Sequence, residues 1–380
     1  MKQCRACGHN HLTSIMHLDQ VPVDVQRLVT LDQLDSKTTT EIEIYQCSGC
    51  GLVQSAVSLE STYYDDYLMS TTFSSQLTDY LSSLVTEFVN KYNLHDAHVI
   101  DIGCGDGAFM LPFVKQGISV VGIEPSERSR LAAQEKGLVA HAGYVSGGRK
   151  IPGGPFNAFV CRQVLEHVDN IAEFLIGIRE NLQPSAVGII EVPRLEKAQE
   201  DRRFYDFFPD HVNYFSLDTL STTLSLHGFE VLELHAAMND EYNVAIVRRR
   251  ETHNFSTIQH QRHTLAAQIN QLLANSHADG KRTAIWGTGA KGLSIMSITD
   301  SRYLDIVVDS DPNKIGRYVP VNQKQIQDPQ SLITNAIDVI IISAVAYQKT
   351  ILAKLQNLNY TGRVYLIDQT GLKECACSTY

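Results

Sequence analysis

The sequence predicts an α/β protein built on a doubly wound, largely parallel sheet, with a small cysteine-bound module in front and a second, Rossmann-like α/β domain behind. Three observations predict it. Strand, glycine loop and helix alternate from His98 to about Arg250, and the same alternation restarts at Thr283. Ahead of both stand two Cys-x-x-Cys-Gly knuckles, Cys4/Cys7 with Gly8 and Cys47/Cys50 with Gly51. A chain of 380 residues, 43% of them hydrophobic, exceeds what a single core serves, so domains spanning 1–70, 71–250 and 251–380 are expected.

Charge narrows the function. The formal net charge is −10, with acidic and basic residues interspersed, so the basic footprint of a nucleic-acid binder is missing and a small-molecule partner is expected. The first residues form no apolar signal, and no stretch approaches the roughly 18 apolar residues of a membrane span. A cytoplasmic protein with no membrane partner is the expectation.

Eight cysteines in such a chain argue for thiolate chemistry over a disulfide framework. Cys4, Cys7, Cys47 and Cys50 are a four-thiolate set for a tetrahedral zinc ion, and four ligands with no open position imply a structural metal. Residues between the knuckles must form their own small fold, with a strand at Glu41–Tyr45. Cys104, Cys161, Cys375 and Cys377 read as ordinary core or tail residues.

The tyrosine-rich run Tyr63–Phe73 leads to a helical pattern at Leu77, Leu81, Leu84, Val85, Phe88 and Val89. These aromatics either line a ligand pocket or pack the linker, and Tyr67 is the candidate substrate contact among them. Strands follow at His98–Ile102, Ser119–Ile123, Phe156–Cys161, Gly188–Val192, Glu230–His235 and Asn243–Arg248, with helices at Ile171–Leu182 and Leu217–His227. A linking helix is expected within His253–Ser276. The last domain opens with the strand Thr283–Trp286 and the glycine turn Gly287–Gly292, followed by strands at Leu304–Val308, Asp338–Ser343 and Val364–Ile367. Lys291 in that turn either meets a phosphate or stays solvated.

The stretch from Val99 to Gly107 is the most informative. An apolar strand runs into alternating glycines, and about twenty residues on an acidic residue, Glu124, ends the next strand, an arrangement that places an adenosine with its ribose hydroxyls on the acid. Asp101 at the end of the first strand would repel a pyrophosphate but suits the amino group of a methionine moiety.

Here the chain resembles the class I S-adenosylmethionine-dependent methyltransferases with their seven-stranded sheet. Their first motif, Asp-x-Gly-x-Gly-x-Gly, is matched by Asp101, Gly103, Gly105 and Gly107, and the resemblance extends over Phe156–His167 and the Leu182–Pro184 turn. It implies S-adenosylmethionine as cofactor, with Pro125, Arg162 and Gln163 joining Glu124 and the glycines around it. The full order of parts, including Phe208–Ser216 and Trp286–Gly292, is similar to the sugar-nucleotide C-methyltransferases, which methylate a carbon beside the ketone of a nucleotide-linked keto-deoxysugar. In that family the segment reads Tyr-His-Glu-His-x-x-Tyr-Phe-Ser, so the resemblance places its base on His211, the neighbouring carboxylate on Asp210, and substrate contacts on Asn213 and Tyr214. Phe208 replaces the family's tyrosine and Asp210 its glutamate.

Carbon becomes a nucleophile only after losing a proton, which calls for a base within hydrogen-bond reach. The expected roles are therefore proton removal by His211, with Asp210 or His167 orienting it or stabilising the enolate. Transfer to an oxygen or nitrogen of a related metabolite needs less chemistry, and a non-catalytic module that only binds S-adenosylmethionine needs none. The oligomeric state is not legible.

Overall fold

The computed structural model describes residues 3–23, 25, 39–57, 64 and 74–375. The chain divides into two compact units, Met1–Thr252 and His253–Tyr380.

The first unit begins with an antiparallel sheet: β1 (Leu12–Pro22), β2 (Thr39–Cys47) and β3 (Val53–Ser55), completed by a two-residue strand, Asn213–Tyr214, from far along the chain. The expected strand at Glu41–Tyr45 lies within β2. The knuckles sit at the turns of this sheet. Gly8 and Gly51 hold φ of +73° and +81°, where a side chain would be strained, and their amides return to the carbonyls of Cys4 and Cys47.

The main sheet has seven strands: β4 (His98–Ile102), β5 (Ser119–Glu124), β6 (Val139–Ala142), β7 (Phe156–Arg162), β8 (Leu182–Pro193), β10 (Phe229–Ala237) and β11 (Tyr242–Arg249), with β9 being Asn213–Tyr214. Their order across the sheet is β10-β11-β8-β7-β4-β5-β6. The five strands from β8 to β6 are parallel, and β11 runs antiparallel to both β8 and β10. The expected doubly wound sheet is thus present. Its strand order reverses between β4 and β7, the crevice where ligands of such sheets bind.

Alternation along the strands explains the two helical layers. On β7, Phe156, Phe159 and Cys161 join one core while Ala158 and Val160 join the other. The first core packs against Phe174, Leu175 and Ile178 of the helix Ile171–Glu180, and against Leu220 and Leu224 of Leu217–Leu226. The second packs against Leu81, Val85 and Phe88 of Ser75–Tyr92. Cys4, Ala6, Cys47 and Leu52 belong to the first core, so the cysteine module is packed onto the catalytic sheet. The Leu182–Pro184 turn is corrected: these residues already belong to β8, where Leu182 pairs with Phe156, and the register shifts before Val187, with Ser185 at φ +57°. The short edge strand β6, with Val139 half exposed, carries too little apolar pattern to be legible.

The second unit opens with the helix Ser256–Ala278 and a six-stranded sheet of β12 (Thr283–Trp286), β13 (Ile306–Val308), β14 (Ile326–Gln327), β15 (Val339–Ile342), β16 (Arg363–Asp368) and β17 (Gly371–Cys375). Its order is β14-β13-β12-β15-β16-β17, parallel except for the last hairpin. This is the expected second α/β domain. No described helix is long and apolar enough to cross a membrane.

Candidate active site

The glycine loop between β4 and the short helix Leu111–Lys115 turns on three left-handed glycines, Gly103, Gly105 and Gly107, with φ of +71°, +52° and +78°. A Cβ on Gly105 would enter open space, whereas one on Gly103 would strike Val164 at 2.4 Å and one on Gly107 would strike Leu138 at 2.3 Å. Gly103 and Gly107 therefore close the loop against the fold, and Gly105 leaves a face uncovered. The Glu124 carboxylate accepts from the Gly105 amide at 3.0 Å and the Ser126 amide at 2.9 Å, which ties the end of β5 to the loop. Burial raises its pKa, against the pull of those two amides. Pro125 follows it, half-buried.

Asp101 is 2% exposed, and its Oδ2 meets no hydrogen-bond donor among the described residues. Burial pushes its pKa up to about 7, opposed by Arg162. A buried carboxylate oxygen left without a donor at the mouth of a glycine loop fits a ligand that brings an ammonium group. Loop, acid and orphaned oxygen together fit S-adenosylmethionine.

Arg162 and Gln163, expected around the cofactor, converge instead on a residue the sequence did not single out. Glu191, fully buried on β8, accepts from Arg162 Nη2 at 2.5 Å, Gln163 Nε2 at 3.2 Å and the Tyr80 hydroxyl at 2.5 Å. Burial works against the Arg162 charge, but Glu191 beside it holds the guanidinium pKa above its ordinary value. Arg162 also lies 4.7 Å from the Phe109 ring centroid. The pair forms a rigid charged wall under the loop.

The second half of the site lies on the turn Leu165–His167 and the segment Phe208–Tyr214. Backbone bonds join them, the Val212 amide to the Glu166 carbonyl at 2.9 Å and the Ser55 amide to the Val212 carbonyl at 3.0 Å. Asn213, expected to touch substrate, gives its amide hydrogens to the carbonyls of Leu165 at 3.1 Å and Val168 at 2.8 Å, so its side chain holds the histidine turn in place. His211 and His167 meet edge to face with centroids 4.8 Å apart, and His211 lies 4.2 Å from the Phe208 ring. Asp210 holds His167: its backbone carbonyl accepts from His167 Nδ1 at 2.7 Å, and its Oδ2 lies 3.9 Å from the same nitrogen. Burial lowers the pKa of His167 to about 4, and burial with the neighbouring His167 lowers that of His211 well below the usual value, so both rings are neutral at pH 7. Burial raises Glu166 well above the carboxylate range. Tyr214 donates to the Phe208 carbonyl at 3.3 Å. Tyr64, from the tyrosine run, sits edge-on to His167 at 5.4 Å, and Tyr67 lies outside the described residues. His211, Phe208, Asn213 and Tyr214 line a cleft of about 610 Å³ including its open mouth, walled also by Arg194, Asp206 and Tyr242.

Lys291 lies in the second unit, exposed in the first turn of the helix Ala290–Met296. The four cysteines gather as expected. Their sulfurs lie within 4.8 Å of one another, with Cys4 to Cys50 and Cys7 to Cys47 both at 3.6 Å. A zinc tetrahedron with bonds of about 2.3 Å has edges of about 3.8 Å, so the set fits that ion. The Gly49 amide reaches Cys47 Sγ at 3.3 Å, an amide-to-sulfur contact within the second knuckle.

Between the knuckle cysteines, Arg5 was not foreseen. Its guanidinium donates to Asp169 Oδ1 at 3.0 Å and to the carbonyls of Ser55, Val212 and Val57 at 2.7, 3.2 and 2.5 Å. One arginine of the metal knuckle thereby grips the residue next to His211.

Residues 73–234 match the family described as a methyltransferase domain, and residues 231–367 the family described as a C-methyltransferase C-terminal domain. The chain is 24% identical over 385 residues to the C-methyltransferase NovU of Streptomyces niveus, covering 92% of this chain and 91% of that protein. It is 24% identical over 124 residues to a ubiquinone biosynthesis O-methyltransferase of Rickettsia canadensis (strain McKiel), 31% of this chain and 52% of that one. A solved S-adenosylmethionine-dependent methyltransferase from Clostridium acetobutylicum ATCC 824 aligns at 13% identity with a TM-score of 0.39 over 46% of this chain and 92% of that one, a likeness too remote to carry more. The chain is an S-adenosylmethionine-dependent methyltransferase, with a methyltransferase domain followed by a C-methyltransferase C-terminal domain.

Proposed function

We propose that this enzyme methylates the carbon beside the ketone of a nucleotide-linked 4-keto-deoxysugar, with His211 as the base and a structural zinc ion on Cys4, Cys7, Cys47 and Cys50. The observation that carries the reading is His211 lining an open cleft, edge to face with His167 and with the buried carboxyl groups of Glu166 and Asp210 nearby. The similarity to a C-methyltransferase over nearly the whole chain supports carbon as the acceptor.

S-adenosylmethionine, when bound, supplies an electrophilic methyl group; Asp101 would hold its amino group, Glu124 its ribose hydroxyls, and Gly103, Gly105 and Gly107 would line its approach. The chain's own work is done on the sugar. His211, unprotonated at pH 7, takes the proton alpha to the ketone. Its low pKa in the empty site makes it a weak base, and the growing positive charge on the ring would draw the neighbouring Glu166 and Asp210 carboxyls toward their ionised forms. His167, anchored through Nδ1, fixes the angle of His211 from the edge. Phe208, where relatives carry a tyrosine, supplies a stacking face without a hydroxyl. Arg194 on the cleft wall is the cation proposed to meet the substrate's phosphates.

The test is proton exchange without transfer. In D2O, with S-adenosylhomocysteine and a thymidine- or guanosine-linked 4-keto-6-deoxysugar, the enzyme is expected to erase one ring-proton NMR signal, and the His211→Asn variant to leave it intact while binding S-adenosylhomocysteine normally. Retention of every signal in a complex shown to hold the sugar would move the reading to oxygen or nitrogen transfer.

A further inference from the structure

Beside the cleft that His211 lines, the side chains of Glu166, His167 and His211 converge. Glu166 is 1% exposed, and neither of its oxygens meets a hydrogen-bond donor among the described residues. His167 spends Nδ1–H on the Asp210 carbonyl at 2.7 Å, which fixes the tautomer and leaves Nε2 as a bare acceptor, 3.9 Å from Glu166 Oε1. His211 completes the group, one ligand atom from each of the three lying within 4.8 Å of the others.

A buried carboxyl whose oxygens meet no protein donor leaves polar atoms that a bound ligand would satisfy. A proton on Glu166 does not resolve this arrangement, because 3.9 Å is too long for a hydrogen bond to Nε2. Two imidazoles and one carboxylate are a donor set for a borderline divalent ion with one position left open. An imidazole whose second nitrogen is held by a backbone carbonyl is oriented as metal-bound histidines are.

We propose that Glu166, His167 and His211 form a second, exchangeable divalent-metal site of zinc type inside the methyl-transfer cleft, and that filling it silences the enzyme by occupying the lone pair of His211. The silencing step rests on the reading of His211 as the base. Ligand atoms around a tetrahedral zinc with bonds of roughly 2.1 Å lie roughly 3.4 Å apart, so the cluster closes on the ion by turning the imidazoles inward. The site differs in kind from the cysteine set: nitrogen and oxygen donors against four sulfurs, and an open position against none.

The difference makes cobalt a usable probe. The full-length protein, with zinc on its four cysteines, is titrated with Co²⁺ while visible absorption and metal content are followed together with ring-proton exchange of the keto-sugar. The expected result is one further equivalent per chain, showing d–d bands without sulfur-to-cobalt charge transfer, and exchange that falls in step with occupancy and returns on chelation. Glu166→Gln, which keeps shape and removes the anion, is expected to weaken that binding by at least about tenfold; should it fail to fold, His167→Gln reads the same loss. No further equivalent bound, or a Glu166→Gln protein that binds like wild type, overturns the site. Cobalt bound with undiminished exchange overturns the silencing step and His211 as the base. Exchange abolished by His211→Asn in a protein that takes up no extra cobalt overturns the metal site alone.

Discussion

Replacing Arg5 by methionine tests whether the cysteine module holds the catalytic segment or merely adjoins it. The side chain is 9% exposed, and its hydrogen bonds include three to carbonyls and one to Asp169. Methionine fills similar volume but donates nothing. The Ser55 and Val57 carbonyls and Asp169 each lose a donor, while Val212 keeps the Ser55 amide at 3.0 Å. A buried group stripped of its partner costs about 1–3 kcal/mol, and relief from burying the guanidinium offsets part of the total. Of the three acceptors only Ser55 is fully buried, while Asp169 is 38% exposed and can be rehydrated, so the expected loss is about 1–3 kcal/mol, against the roughly 5–15 kcal/mol that a domain commands. Urea unfolding of the zinc-loaded, full-length protein reads it, the second unit serving as an internal reference whose transition should not move. Activity per folded molecule should fall as well: a displacement of about 1 Å at the reacting groups can cost about a hundredfold, so kcat should drop while cofactor affinity holds. Amide exchange at Val212 and Asn213 should accelerate. A variant within about 0.5 kcal/mol of wild type would refute the energetic argument. A destabilised variant with full activity per folded molecule would refute the positioning.

Three further outcomes are expected. Cys47→Ser should lower zinc content and melting temperature together, and a variant with full zinc and an unchanged melt would remove the metal assignment. Asp101 carries a pKa of about 7 in the empty site, so binding the cofactor's ammonium group should lower it and expel a proton. Affinity for S-adenosylmethionine should therefore rise as pH climbs from about 5.5 to 7, and calorimetry in buffers of different ionisation enthalpy should detect the released proton; the same pH dependence in Asp101→Asn would place its source elsewhere. In the core, a Cβ on Gly188 would come within 2.0 Å of the Phe159 ring, so Gly188→Ala should destabilise the first unit by about 1–3 kcal/mol, with Phe159→Leu restoring part of it. A neutral substitution in chemical denaturation would show that the ring has room to move.

Both α/β domains, the cysteine set and the cofactor loop were legible because each depends on local chemistry. Tight turns with positive φ demand glycine at Gly103, Gly105 and Gly107, thiolate ligation demands cysteines at fixed spacing, and a strand buried on both faces reads as an apolar run in β4 and β7. The resemblance to relatives placed His211, Asp210 and His167 in one neighbourhood. Partnerships across the fold were not legible. Asp210 and His167 are both candidates in sequence to orient His211, and only the fold shows that the Asp210 carbonyl accepts from His167. Glu166 and Glu191 look in sequence like any acid on a helix or strand, and only the packing of β8 and the turn Leu165–His167 strips them of water and makes them electrostatic features. The pairing of β3 with β9 joins residues some 160 positions apart, and it sets Arg5 against the Val212 carbonyl beside His211. Sequence determined which turns, ligands and buried strands exist because those requirements are met within a few residues; tertiary structure alone decided which carboxyl faces which histidine, because that depends on strand register and on where water is excluded.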